Sequence, residues 1–138
     1  IKEGQVHLGL GFFLKTDNPS RDIRTLANAT CQFWSILTAL TINKMHQLID
    51  ENEYQNDVKV ISTIYDSIYF EVTKNASIIK WVNDNLIKTM VVDFMIDQTI
   101  SNEAESDIGY NWADMTRIPN NATIEEITSV LIKLDIDK

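Results

Sequence analysis

Two short runs rich in strand-forming residues stand only two positions apart, and this pairing constrains the fold more than any other stretch. Val58 to Ile64 is dense in β-branched side chains. Ser67 to Val72 alternates, with Ile68, Phe70 and Val72 on one side and Ser67, Tyr69 and Glu71 on the other. β-branched and alternating apolar residues fit a pleated surface. Runs this close can pair as an antiparallel hairpin, with Tyr65-Asp66 at or beside its turn.

The elements around the hairpin follow from periodicity and turn chemistry. Gln5 to Lys15, punctuated by Gly9 and Gly11, reads as a hairpin or bulged strand pair. Thr16 to Ser20 is a turn, because Pro19 cannot continue a helix. About Arg21 to Asp50 is one long helix, with Leu26, Phe33, Leu37, Leu40, Met45 and Leu48 at helical spacing and no Gly or Pro inside. Glu51 to Asp57 is a polar link. Asn75 can cap a helix to about Val92, striped by Ile78, Val82, Leu86 and Met90. Met95 to Ile100 reads as a strand, and Ser101 to Asn121 as mostly loop. Thr123 and Glu126 form a capping-box pattern that opens a helix through Ile127, Val130, Leu131 and Leu134. The order predicts an α+β fold, an antiparallel sheet covered by helices on one face.

Composition excludes some classes. With 44% hydrophobic and 23% charged residues among 138, the chain can build a core and is not a disordered tail. No apolar run approaches the roughly 18 residues of a membrane span. The start has neither an initiating Met nor a signal peptide, and reads as that of a piece cut from something longer. The lone cysteine, Cys31, reads as a buried or partly buried thiol in a reducing compartment. The net charge of −8 argues against direct phosphate binding unless basic parts elsewhere hold the phosphates.

Two constellations could carry chemistry. Asp66, fixed at a tight hairpin turn, suits a hard cation such as Mg²⁺, which takes one or two protein carboxylates plus water and phosphate oxygens. Aspartate is also simply a good turn residue. On the long helix, Arg24, Asn28 and Gln32 stand at i, i+4 and i+8 and stack along one face. All three donate from planar groups. Every base pair shows acceptors on its minor-groove edge, so such a row can test pairing geometry without reading sequence. The plain alternative is a solvated polar face.

Three motifs then bring a resemblance. The segment from Arg24 to Gln32 resembles the family A, DNA polymerase I-like pattern R-x-x-x-N-A-x-x-Q, at the start of the helix before the catalytic hairpin. Ile64-Tyr65-Asp66-Ser67-Ile68-Tyr69-Phe70-Glu71-Val72 is similar to that family's third palm motif, V-H-D-E-x-x-F-E-V. Gly109-Tyr110-Asn111-Trp112 resembles its G-x-N-W signature. The resemblance covers roughly residues 5 to 115, with all three motifs in order. It implies a palm-type antiparallel sheet with a catalytic hairpin, covered by long helices on one face. It also implies two-metal nucleotidyl transfer, with two Mg²⁺ ions shared by Asp66 and an aspartate outside this chain. Asp66 would be the catalytic metal ligand. Arg24, Asn28, Gln32 and Tyr65 would contact primer-template DNA.

Departures sharpen this expectation. Tyr65 replaces the family's usual His, and Ser67 replaces the acidic residue after the aspartate, leaving Ser67 as possible support for the metal. A Tyr-Asp-Ser version also resembles the palm of single-subunit phage RNA polymerases. The family's fingers helix and earlier palm motif are not found in the sequence. Residues 1–117 are therefore expected to be the C-terminal part of a palm and 118–138 a tail helix. The expected partners are primer-template DNA, deoxynucleoside triphosphates and the remaining polymerase polypeptide, without a membrane. The expected setting is cytoplasmic, the host cytoplasm for a phage enzyme. The rival expectation is a non-catalytic acidic interaction module.

Overall fold

The computed structural model describes residues 5–9, 12–15, 23–91 and 103–136. The fold is α+β: β1 (Gln5–Gly9), β2 (Phe12–Lys15), α1 (Ile23–Glu51), β3 (Val58–Ile64), β4 (Ser67–Val72), α2 (Ala76–Met90), β5 (Ser106–Ile108), β6 (Thr116–Ile118) and α3 (Ile124–Ile136). Among the described residues the strands form three separate antiparallel pairs, β1–β2, β3–β4 and β5–β6, where the sequence predicts one sheet. The predicted strand at Met95 to Ile100 and the turn at Thr16 to Ser20 lie outside the described residues. No described helix is long and apolar enough to cross a membrane.

α1 has 29 residues, about 44 Å at 1.5 Å per residue. It stops without a glycine. The Tyr54 N–H reaches the Ile49 carbonyl at 2.9 Å, and the Glu53 N–H reaches Asp50 at 3.2 Å. With Glu53 at φ 58, this is a Schellman ending, and Tyr54 packs beside buried Ile49 as that motif prefers. The buried stripe of α1 is Leu37, Thr38, Thr41, Met45 and Ile49, whereas Leu40 is exposed. Apolar periodicity missed the threonines. Their hydroxyls donate to backbone carbonyls, Thr38 to Tyr65 and Thr41 to Thr89, both at 3.4 Å, and so can be buried without an orphan donor. Thr89 lies in the last turn of α2, where carbonyls lack helical partners.

α2 is the hub. Its cap is as expected: Asn75 Oδ1 accepts from the Ser77 N–H at 2.9 Å and from Ile78 at 3.4 Å. Val82 packs with Ile49 and Val58, joined by Phe70, Ile78 and Trp81, and Tyr54 meets Trp81 edge to face at 4.9 Å. Ile79 faces Ile118, Ala122 and Ile127. Val72 of β4 touches both clusters and links them. Buried Asn83 donates to the Pro119 carbonyl at 3.0 Å, fastening the end of β6 to α2.

The predicted loop from Ser101 to Asn121 contains the β5–β6 pair, a correction to the sequence reading. Its three-residue strands are too short for periodicity to show. Arg117 bridges them, pairing with Glu105 and donating to Asp107 at 3.0 Å. α3 opens with a realised capping box. The Thr123 N–H donates to Glu126 Oε2 at 2.7 Å, and the Glu126 N–H donates to Thr123 Oγ1 at 3.2 Å.

Candidate functional site

The β3–β4 register pairs Ile64 with Ser67, so Tyr65 and Asp66 alone make the turn. Two-residue turns between right-twisted strands call for positive φ, usually from Gly, Asn or Asp. Here Tyr65 supplies it, at φ 55. A left-handed residue with a Cβ costs roughly 1–2 kcal/mol. Tyr65 is 90% exposed, so burial does not offset that cost. Its carbonyl is held by the Thr38 hydroxyl of α1. A strained, exposed aromatic beside a carboxylate points to use rather than to stability.

Asp66 is exposed at the tip, with exposed Ser67 opening β4 beside it. Among the described residues, no group of three His, Cys, Asp or Glu side chains stands close enough to hold a metal ion. Asp66 is thus a single hard oxygen donor on a two-residue turn. That fits one position of a magnesium shell, whose other ligands would be water, phosphate and a carboxylate from elsewhere.

The ladder is irregular just below the tip. Val60 opposes Phe70 and Ser62 opposes Tyr69, leaving Ile61 as an extra residue. Such a bulge bends and further twists its strand, and bulges gather near functional sites. Below it Val58 and Val60 pair with Val72 and Phe70 on the core side. Above it Ile61 and Ile64 are exposed.

On α1, Arg24 and Asn28 are both exposed. At about 100° per residue, Thr38, which holds the tip, lies about 40° from Arg24 and about 80° from Asn28 around the axis. Arg24 therefore shares a side of the helix with the tip contact and Asn28 stands nearly a quarter turn from it, about 15 Å or more along the axis toward the N-terminus. Cys31 falls on the same side and is exposed, not buried as expected. The side chains of Gln32, Phe33 and Trp34 lie outside the described residues.

The Gly109–Trp112 segment is a built turn. A Cβ on Gly109 would stand 2.5 Å from the Asp114 carbonyl oxygen, so only glycine fits there. Asn111 Oδ1 accepts from the N–H groups of Ala113 at 2.8 Å and Asp114 at 3.0 Å, an Asx turn. Trp112 stacks on Tyr69 of β4, with centroids 5.0 Å apart and planes 29° from parallel. Two of the sequence motifs are thus in direct contact. Sequence reasoning missed this contact, because the two rings stand far apart along the chain. It also missed Thr38, and the exposed Asp135 that accepts from Lys74 and Tyr110.

A shallow cleft of about 340 Å³ is lined by Lys80, Asp84, Ile87, Lys88, Asn120 and Asn121. None of the hairpin residues lines it, so it does not contribute to this site. A scan against models of known families finds no match for the chain, and searches of curated proteins and of solved structures find none either.

Proposed function

We propose that this chain forms the C-terminal part of a polymerase palm that works with the remaining polymerase polypeptide in template-directed DNA synthesis. The observation that carries the reading is Asp66 on a two-residue turn, with Tyr65 held at φ 55 and tied to α1 through Thr38. A carboxylate on such a turn has little freedom to lose on binding an ion, which is what preorganised charge stabilisation needs.

In this reading Asp66 provides one oxygen ligand toward the reacting phosphate. Ser67 can orient a metal-bound water through its hydroxyl. Two Mg²⁺ ions, when bound, would activate the primer 3′-hydroxyl and neutralise the leaving pyrophosphate. Tyr65 offers an exposed ring beside the primer end. Arg24 and Asn28, with Gln32, would donate to minor-groove acceptors of the nascent duplex, checking pair shape independently of sequence. With a net charge of −8 on this chain, most of the phosphate-binding charge would have to come from the partner polypeptide.

The test uses the enzyme assembled with that polypeptide. Asp66→Ala should lower single-turnover nucleotide addition by several orders of magnitude, while primer-template affinity changes little. Near-normal addition by this variant overturns the assignment. Incorporation of ribonucleotides in preference to deoxyribonucleotides would move the reading to an RNA polymerase palm.

A further inference from the structure

The strongest unassigned cluster joins three elements far apart in sequence. Asp135, in the last turn of α3, accepts from Lys74 Nζ at 2.6 Å and from the Tyr110 hydroxyl at 2.5 Å. Lys74 also lies 5.5 Å from the centre of the Tyr110 ring, a cation–π approach. Lys74 sits just after β4, Tyr110 belongs to the Gly109–Trp112 turn, and Asp135 belongs to the tail helix. Two of the three thus flank the hairpin and its aromatic cover.

We propose that α3 is a latch: Asp135 grips Tyr110 and Lys74, and so sets how Trp112 seats on Tyr69 of the hairpin. The geometry is that of a lever. The turn between Tyr110 and Asp114 is stiff, since Asn111 bonds two of its N–H groups and Gly109 is crowded by the Asp114 carbonyl. Tyr110 at one end is held by the tail helix, and Trp112 at the other end lies on β4. Fixing the first fixes the second. Asp135 is then a positioning residue for the hairpin tip, three residues before Tyr69, and this last link rests on the polymerase reading of Asp66.

The placement of the carboxylate supports a role outside the helix itself. A helix C-terminus carries partial negative charge, so an aspartate in the last turn opposes its own dipole. Removing it should leave α3 as stable or steadier. The pair with Lys74 is about half exposed on both sides, so salt should weaken it.

These features make the test discriminating. The full chain is observed by NMR through the Trp112 indole N–H, identified by its loss in Trp112→Phe. In Asp135→Ala and in Tyr110→Phe, the Trp112 signal should lose its ring-current displacement and move toward the position of free tryptophan. Amides of Ser67 to Phe70 should exchange faster, while those of the Val58–Val82 cluster and of α3 keep their rates. Asp135→Glu should restore part of the wild-type signal. The proposal is overturned if the Trp112 signal and the Ser67 to Phe70 amides stay put in both variants. It is also overturned if α3 amides lose protection in Asp135→Ala, because the residue then serves its own helix. No nucleic acid or metal enters these measurements, so the latch can fail while Asp66 remains a ligand, and the reverse.

Discussion

The two ends of the β3–β4 hairpin are built to different standards. At the base, Val58 and Val72 are packed against α1, α2 and the β6–α3 junction, and neighbouring helices begin with satisfied caps. At the tip, Ile61, Ile64, Tyr65 and Asp66 face outward, one backbone angle is strained, and the ladder is bulged. The tip accepts a long hydroxyl bond from α1, with an aromatic stack three residues farther along. A chain optimised for stability alone would place glycine at position 65 of this turn. The contrast locates stability in the base and leaves the tip free to serve chemistry.

Substitutions should divide along that line. The largest thermodynamic effect belongs to the base. Ile49 is buried against Val58 there, and Ile49→Ala should lower unfolding free energy by about 2–5 kcal/mol in denaturant titration. Asp66→Ala should leave that titration unchanged despite its expected effect on nucleotide addition. Equal destabilisation by the two would erase the distinction between the ends.

A gain of stability is expected next, at the tip. Tyr65→Gly should stabilise the fold by up to about 1–2 kcal/mol through relief of the left-handed angle, less the unfolded-state entropy of glycine. On the proposed polymerase reading, the same change should impair extension from the primer end in the enzyme assembled with its partner polypeptide. A stabilised variant with unchanged extension would make the strain an accident of the turn. Smaller still, Thr123→Ala removes one half of the α3 capping box and should cost about 1 kcal/mol in thermal unfolding.

The smallest effect concerns pH. The Glu125 carboxylate is held below its usual 4.5 by its own backbone N–H and then by the Thr123 hydroxyl. A lowered folded-state pKa means that the contribution is present above pH about 4.5 and fades as pH falls through the lowered value. Glu125→Gln should flatten that part of the acid dependence of α3 helicity measured by circular dichroism.

Legibility in the sequence followed the range of the interactions. The hairpin, its two-residue turn, the Asn75 cap and the Thr123–Glu126 box are set by neighbours a few positions apart, and each was readable. The Schellman ending of α1 was not, because Glu53 occupies a position where glycine is the usual signal. The β5–β6 pair hid in short, charged segments. Burial of Thr38 and Thr41 in place of Leu40 depends on carbonyls brought from the hairpin and from α2. The motifs Gly109-Tyr110-Asn111-Trp112 and Tyr65-Asp66 could be found separately. Their joining through Tyr69 is a property of the folded chain.

Among the described residues β3 and β4 pair only with each other, which leaves an outer rim on each strand. The lower part of the ladder carries Lys59 opposite Glu71, charges that discourage a foreign strand from adding there. From Ile61 to Ile64 there is no such guard, and two isoleucines stand exposed. Concentrated solutions of the chain by itself should therefore tend toward edge-to-edge association through this upper segment, and a lysine at position 61 should suppress the clumping without disturbing the monomer.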